Sequence, residues 1–416
     1  MTAPAQTDTP LIARLARHLQ RPVPEYVRTR ARLHLLDWLA CVAGARGSVV
    51  GNVARRAGPD PLERVAYLGN VLEMDDVHRT ALLHPGPVVW PAALSAARES
   101  ACDFGAMLDG TISGYEAMIA VGATFDQHHY AHWHPTSTAG GFGGAAAACS
   151  IFGLDARQTG WALGNAGSTA CGIWHMRHDD VMTKQLHVTH AALEGLWCAR
   201  AARAGFTGPA AILEGPQGLY AATCREPKPL VLGPGWRIEE VSFKPWAACR
   251  HAHPAIDCAL ELRAAGKLTA PFHIETYADA LTFCDKADPT TESEAKFSLQ
   301  HAVAVIADGR NATPADFTPE AIAALAPLRA QVTVAEAPEI NARYPAHFGA
   351  RLNGFELVDT RGDPERPVGE ADIIAKMHML AEWGGLSEAE ADRAVDLALH
   401  GDDAGAIVAM LEDWLS

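Results

Sequence analysis

The sequence predicts a mainly α-helical protein that carries a smaller, inserted α+β domain. Apolar residues recur at helical spacing through nearly all of the first 235 residues. The alternation typical of β-strands begins at Trp236, and helical spacing returns from Glu370 to the C-terminus. We therefore expect a helical domain formed by residues 1–235 and 371–416, and an α+β domain formed by residues 236–370.

The helices of the first domain are predicted from apolar residues three and four positions apart. Leu11, Leu15 and Leu19 form the first such run, and a proline in the first turn places a later helix at Pro91. The predicted helices span residues 11–19, 24–44, 91–97, 104–123, 139–152, 156–170 and 181–204.

The second domain combines strands with helices. The predicted strands are residues 236–243, 272–277, 331–334 and 350–358, and the predicted helices are residues 253–265, 293–307 and 319–325. Beyond Glu370, Ile373, Met377 and Leu380 share one helical face. We therefore expect the C-terminal helices to pack against the first domain, which makes the α+β unit an insertion.

Composition and charge restrict the class of protein. The 34 Lys and Arg residues are outnumbered by 49 Asp and Glu, which gives a net charge of −15 at pH 7. Such a chain repels nucleic acid and acidic membranes, so we expect neither as a partner. An anionic ligand then requires a locally basic pocket.

The nine cysteines include no CxxC pair and lie mostly in apolar runs, which is typical of reduced thiols in the cytoplasm. No secretory leader and no apolar run of about 18 residues is evident. We expect a cytoplasmic protein that does not span a membrane, with disorder confined to residues 1–10.

The segment 134–148 (HPTSTAGGFGGAAAA) is the first candidate for a ligand site. His134 precedes a proline, and three hydroxyl residues that include Thr136 follow it at the expected start of a helix. The unpaired N–H groups of a helix N-terminus favour a carboxylate or phosphate. A structural helix cap explains the same residues, so the motif alone leaves both interpretations open.

Residues 73–87 (EMDDVHRTALLHPGP) form the second candidate. Asp75 and Asp76 are of the type that orients a histidine through its other ring nitrogen, and His84 precedes a second proline. A solvated helix end is the alternative interpretation.

Two lysine-containing segments complete the candidates. Lys184 and His187 lie three residues apart and therefore share a helical face. Lys244 and Cys249 lie at the boundary between the two predicted domains, where small-molecule sites usually form.

We expect no metal and no nucleotide cofactor. The pairs His132/His134 and His251/His253 match no zinc-ligand spacing. The glycines of residues 140–144 (GGFGG) lack the preceding strand, the GxGxxG spacing and the later acid of a dinucleotide-binding loop.

Taken together and in this order, the motifs resemble the MmgE/PrpD family, whose members include 2-methylcitrate dehydratase, cis-aconitate decarboxylase and iminodisuccinate epimerase. The resemblance rests on segments 74–76 (MDD), 84–86 (HPG), 91–94 (PAAL), 134–138 (HPTST), 183–187 (TKQLH), 205–215 (GFTGPAAILEG), 244–253 (KPWAACRHAH) and 294–299 (EAKFSL).

The resemblance implies a helical domain, an inserted α+β lid, a homodimer, and a metal-free site between the domains for a small di- or tricarboxylate. It implies His84 and His134 as the proton-transfer pair, with their individual roles open, and Lys184 and Lys244 as partners of the substrate carboxylates. Further substrate-binding residues are expected at Glu73, Asp76, Thr136, His187 and Cys249.

The implied reaction is that of a cofactor-independent lyase, either a dehydratase or a decarboxylase, that transfers a proton at a carbon next to a carboxylate. An epimerase of a dicarboxylate and a catalytically silent binding paralogue are the alternatives.

The chain departs from the family pattern at several positions, which leaves the substrate open. Glu73 and Val77 stand where relatives usually have Asp and a hydroxyl residue. Thr189 replaces a glycine, and His301 stands where several relatives have tyrosine.

Overall fold

A computed structural model describes residues 9–415. Residues 1–8, most of the segment for which we expect disorder, lie outside the described residues. The first half is helical, as predicted, with helices α1 (Leu11–His18), α2 (Glu25–Ala45), α3 (Val49–Ala54), α4 (Pro61–Ala66), α5 (Gly86–Ser100), α6 (Phe104–Gly122), α7 (Gln127–His132), α8 (Pro135–Ile151), α9 (Ala156–Thr169), α10 (Thr183–Arg203) and α11 (Leu219–Thr223).

Helix α8 is the centre of this half, because α5, α6, α9 and α10 all pack against it. Its glycines permit the close approach of the neighbouring helices. A Cβ atom on Gly140 would lie 2.7 Å from Cβ of Ala191, and one on Gly143 would lie 2.8 Å from Cβ of Met118. The GGFGG segment therefore serves helix packing.

The second half contains the only sheet among the described residues. Its helices are α12 (His253–Ala264), α13 (Ala278–Cys284), α14 (Glu292–Lys296), α15 (Leu299–Ala307), α16 (Pro319–Ala324), α17 (Ala326–Arg329) and α18 (Pro338–Asn341), and its strands are β1 (Phe272–Thr276), β2 (Val332–Glu336), β3 (Ala350–Leu352) and β4 (Phe355–Leu357). The strand order is β2-β1-β3-β4, with β1 and β2 parallel and the other two pairs antiparallel.

The prediction of a strand at residues 236–243 is wrong. The chain forms a 3₁₀ turn at Arg237–Glu240, and only Ser242 makes an isolated bridge, to Val77. The alternation arose because Trp236, Ile238 and other apolar residues of this segment are buried by a turn rather than by a sheet face.

Three other elements differ in their bounds. The segment 350–358 is a hairpin rather than one strand, because Asn353 and Gly354 both have positive φ, as a tight two-residue turn requires. Ser298 caps α15 and so divides the helix expected at residues 293–307. Helix α5 begins at Gly86, and Pro91 lies inside it.

The C-terminal segment forms α19 (Glu370–Trp383), α20 (Glu388–Leu399) and α21 (Ala404–Leu415). Helices α19 and α20 pack on α2, and α21 packs on α4 and α5. The fold class is thereby confirmed, whereas the exact domain limits stay a prediction. Among the described residues, no helix is both long and apolar enough to cross a membrane.

Lys376 of α19 ties three distant parts of the chain together. Its buried ammonium group lies 2.6 Å from Asp37 Oδ1 of α2 and donates to the carbonyl oxygens of Met74, at 2.5 Å, and Lys244, at 3.1 Å. Burial raises the pKa of Asp37 to about 6 in spite of the adjacent ammonium group, so Asp37 is largely ionised at pH 7. The docking of α19 therefore fixes the backbone at residues 74 and 244.

We predict that Lys376→Met lowers the free energy of unfolding by about 3–5 kcal/mol, because the Asp37 carboxylate remains buried without its partner. Urea denaturation followed by circular dichroism measures the change. The exposed Lys267 provides the control, since Lys267→Met should change stability by no more than about 0.5 kcal/mol. Unfolding of Lys376→Met at the wild-type midpoint would contradict this assignment.

Candidate active site

A loop between α4 and α5 supplies the first acidic residues of the site. Glu73 has a φ of 56°, in the left-handed region that is uncommon for a residue with a side chain. Two hydrogen bonds join Val77 to Ser242, from Val77 N to Ser242 O at 3.0 Å and from Ser242 N to Val77 O at 2.8 Å. This bridge brings the segment before Lys244 alongside the acids.

Two lysines and two carboxylates form a buried ionic cluster at this point. Lys184, in the first turn of α10, donates to Glu73 Oε1. Lys244 Nζ lies 3.4 Å from Glu73 Oε2 and 3.4 Å from Asp75 Oδ1. Solvent reaches the cluster from the side of Lys184, whose side chain is 17% exposed, whereas that of Lys244 is fully buried.

The attraction between the opposite charges of the cluster shifts the pKa values of Glu73, Asp75 and Lys244 by more than burial shifts them in the other direction. Burial raises the pKa of Glu73, but the ammonium groups of Lys184 and Lys244 together lower it by a larger amount. The pKa of Glu73 therefore lies below its ordinary value. Burial also raises the pKa of Asp75, but Lys244 and His84 lower it by more, so this pKa too lies below its ordinary value. Burial lowers the pKa of Lys244, yet Asp75 and Glu73 raise it above its usual value. The cluster is therefore ionised at neutral pH.

The surroundings of His84 determine which ring nitrogen carries its proton. Its Nδ1 lies 3.0 Å from the carbonyl oxygen of Asp76 and 2.9 Å from Asp75 Oδ2. Only the carbonyl is aligned for a hydrogen bond, and Asp75 acts through its charge. Because both neighbours of Nδ1 are acceptors, Nδ1 carries the proton in the neutral ring, which leaves the lone pair of Nε2 available.

Asp76 faces away from the lysines and supports the loop. Its Oδ2 lies 2.8 Å from His34 Nδ1 and accepts a hydrogen bond from the Tyr115 hydroxyl at 2.7 Å, while Oδ1 accepts from the backbone N–H of Gly86 at 2.9 Å. A Cβ atom on Gly86 would lie 2.7 Å from Asp76 Oδ1, so the close approach requires glycine. The structure thus gives the expected substrate-binding residue Asp76 three partners within the protein.

The second histidine pair lies at the start of α8. His134 Nδ1 is 3.4 Å from His187 Nδ1, and the His134 ring packs on Trp174 at a centroid distance of 4.5 Å. Burial, assisted by Lys184 and His187, lowers the pKa of His134 well below its ordinary value. His134 is therefore neutral at physiological pH.

The hydroxyl residues that begin α8 are already hydrogen-bonded within the protein. Thr136 Oγ1 accepts from the backbone N–H of His84 at 3.1 Å, and Thr138 Oγ1 is 3.2 Å from the carbonyl oxygens of His134 and Cys171. Thr136 is fully buried. Thr136 and Thr138 thereby help to position His84 and His134, and the role of Thr136 in ligand binding stays a prediction.

Cys249 is buried close to the ionic cluster. Burial raises the pKa of Cys249, but a hydrogen bond from the Cys284 thiol, the backbone N–H of His251 and the charge of Lys244 together bring this pKa below its ordinary value. Glu73 and Lys244 both contribute to the electrostatic environment of the thiol. All nine cysteines are free thiols.

The structure brings most of the predicted site residues together, namely Glu73, Thr136, Lys184, Lys244, His84, His134, His187 and Cys249. Sequence reasoning missed Asp37 and Lys376, which hold the backbone of the cluster in place. The sequence contained one indication of this buried pair, because Lys376 is a charged residue on the apolar face formed by Ile373, Met377 and Leu380.

One group of three potential metal ligands occurs among the described residues, at His347, Asp359 and Glu365. It includes none of the predicted site residues. Arg79 lies within ion-pair distance of both acids and supplies a positive charge there.

Comparison with known proteins identifies relatives of the chain. It is 26% identical over 282 residues to the cis-aconitate decarboxylase of Aspergillus terreus. This match covers 58% of this chain and 57% of the relative. It is 29% identical over 195 residues to the human cis-aconitate decarboxylase. This match covers 44% of this chain and 40% of the relative. These matches span at most somewhat more than half the length of each relative.

Two family models match consecutive parts of the chain. The MmgE/PrpD N-terminal domain matches residues 65–231, and the MmgE/PrpD C-terminal domain matches residues 246–401. Together they include Glu73, Asp75, Lys184 and Lys376, whereas Lys244 lies in the short gap between them, and they cover more than three quarters of the sequence. The chain therefore belongs to the MmgE/PrpD family.

Proposed function

We propose that the protein is a cofactor-independent lyase that acts on a small carboxylic acid with two or three carboxylates. The observation that carries the proposal is the buried pair of lysines beside His84, whose Nε2 is available as a base. The relatives named cis-aconitate decarboxylase support a lyase reaction.

His84 is the proposed proton-transfer base. Its Nδ1–H is held between the Asp76 carbonyl and the Asp75 carboxylate, and the carboxylate stabilises the imidazolium that forms when Nε2 accepts a proton. In a dehydration, Nε2 removes a proton from the carbon next to a carboxylate, the C–O bond at the neighbouring carbon breaks, and the leaving hydroxide takes the proton back from the imidazolium to depart as water. In a decarboxylation, Nε2 first takes up a proton from solvent and donates it to the carbanion that remains when the C–C bond to the carboxylate breaks and CO₂ departs.

Lys184 and Lys244 stabilise the negative charge that builds up on the substrate carboxylate during either reaction. Ammonium groups in a site with little water interact more strongly with this charge than they would in bulk solvent. His134, neutral and adjacent to Lys184, is proposed to donate or accept a hydrogen bond at the reacting part of the substrate.

Incubation with 2-methylcitrate, citrate, cis-aconitate and iminodisuccinate, followed by proton NMR in heavy water, tests the reaction class. Loss of water identifies a hydro-lyase, and loss of CO₂ identifies a decarboxylase. Deuterium entry with inversion of configuration identifies the alternative, an epimerase. The absence of both turnover and exchange for every acid would favour the silent binding paralogue.

We also propose that the protein forms a homodimer through α10. Leu186, Leu193 and Trp197 lie on one face of this helix, and Leu186 and Trp197 are exposed by 52% and 61%. Val181 and Met182, just before the helix, extend the exposed apolar surface. A surface of this kind is typical of a protein–protein contact.

For the active site, we predict that His84→Asn lowers kcat by about 10²–10⁴-fold with a smaller change in KM, because the imidazole is lost while size and polarity are kept.

Lys184→Met or Lys244→Met should lower kcat/KM about ten- to hundredfold, mainly through KM. Steady-state kinetics on the acid found by NMR measures both effects. The exposed His273 of β1 provides the control, since His273→Asn should retain wild-type kinetics. Near-normal kcat in folded His84→Asn would contradict the assignment.

For the assembly, we predict that the wild-type protein has about twice the 44.3 kDa mass of one chain and that Trp197→Glu reduces it to one chain. A charge buried within the apolar surface opposes association. Light scattering at micromolar concentration measures the mass. Trp383, also an exposed tryptophan but on α19, provides the matched control, because Trp383→Glu should remain dimeric. A monomeric wild-type protein would refute the proposed contact.

A further inference from the structure

Glu73 occupies the space between the two lysines in the manner of a bound ligand. Its Oε1 accepts from Lys184, and its Oε2 lies 3.4 Å from Lys244. One carboxylate oxygen thus faces each ammonium group. A substrate carboxylate that approached both lysines at once would have to compete with Glu73 for the same positions.

The charges of the cluster are already balanced before any ligand enters. Lys184 and Lys244 supply two positive charges, and Glu73 and Asp75 supply two negative charges. Among residues 9–415, no further lysine or arginine lies within ion-pair distance of either carboxylate. Each carboxylate that a substrate adds to this region must therefore share the two ammonium groups with Glu73 and Asp75.

The remaining hydrogen-bond donors of the lysines are few. An ammonium group has three N–H donors. Lys184 donates to Glu73 and retains two donors, and Lys244 also donates to Glu73 while lying 3.4 Å from Asp75. Because the Lys244 side chain is fully buried, an incoming ligand meets mainly the two remaining donors of Lys184, and each added carboxylate competes for them.

The backbone at Glu73 also has an uncommon conformation. The left-handed φ of 56° is uncommon for a residue with a Cβ atom, and such conformations concentrate at functional sites. The side chain is also almost completely buried, so it does not simply extend into solvent.

We propose that Glu73 is a built-in carboxylate that takes the place of one substrate carboxylate between Lys184 and Lys244, and that it thereby selects dicarboxylates over tricarboxylates. This inference rests on the proposed function of the cluster as a carboxylate site. It makes Glu73 the specificity-determining residue of that site.

Glutarate and tricarballylate provide the matched probes, because tricarballylate is glutarate with one added carboxylate at the central carbon. Isothermal titration calorimetry at pH 7.5 measures the dissociation constants of both. We expect the wild-type protein to bind glutarate at least tenfold more tightly than tricarballylate. Glu73→Gln should shift this ratio at least tenfold towards tricarballylate, because one competing negative charge is gone.

Two further variants separate the effect of Glu73 from general changes. Glu73→Asp keeps the charge but is too short to bridge both lysines as Glu73 does, so its ratio should lie between those of wild type and Glu73→Gln. Glu356 of β4 also bridges two cations, Arg343 and Arg351, and Glu356→Gln should leave the ratio unchanged.

The possible failures are distinguishable. If both acids bind but the wild-type protein prefers tricarballylate, or Glu73→Gln leaves the ratio unchanged, the selectivity proposal is overturned while the carboxylate site stands. If neither acid binds to folded wild-type protein or to folded Glu73→Gln, the proposed carboxylate site is overturned together with the selectivity.

Discussion

The balance of buried charge between Lys184, Lys244, Glu73 and Asp75 is the constraint on which the rest of the site depends. A buried ammonium group without a partner costs several kcal/mol, so each lysine requires an acid beside it. These four residues come from three distant parts of the chain. The fold must therefore hold those parts together independently, and Lys376 does so for two of them by joining the acidic loop and the segment of Lys244 to α2.

This balance also bears on the anionic ligand that we propose. The net charge of −15 repels anions at a distance, and within the cluster two acids already neutralise the two lysines, so a carboxylate that binds there must compete with Glu73. His84 lies at the edge of the cluster with its Nδ1 proton fixed, and Thr136 holds its backbone. The two adjacent acids have separate tasks, since Asp75 faces Lys244 and His84 while Asp76 anchors the loop to α2 and α6 through His34 and Tyr115.

Much of the fold could be predicted from the sequence, because long helices such as α2, α6 and α10 show clear periodicity. The strand expected at residues 236–243 failed because a 3₁₀ turn with buried apolar residues also produces alternation. The site residues were predicted largely through the family resemblance. Sequence could not separate the roles of Asp75 and Asp76, since these depend on the left-handed turn at Glu73, nor could it reveal the Asp37–Lys376 pair across 339 positions of chain.

The charge balance of the site depends on the ionised state of Glu73 between the two lysines, which carboxyl-carbon NMR can measure. Protein labelled with ¹³C at the glutamate side-chain carboxyl would be titrated with acid, and the Glu73 signal would be identified by its absence in Glu73→Gln. We predict that this carboxyl remains ionised below the ordinary glutamate pKa of 4.5. Titration of the Glu73 signal at or above that value in the folded protein would contradict it.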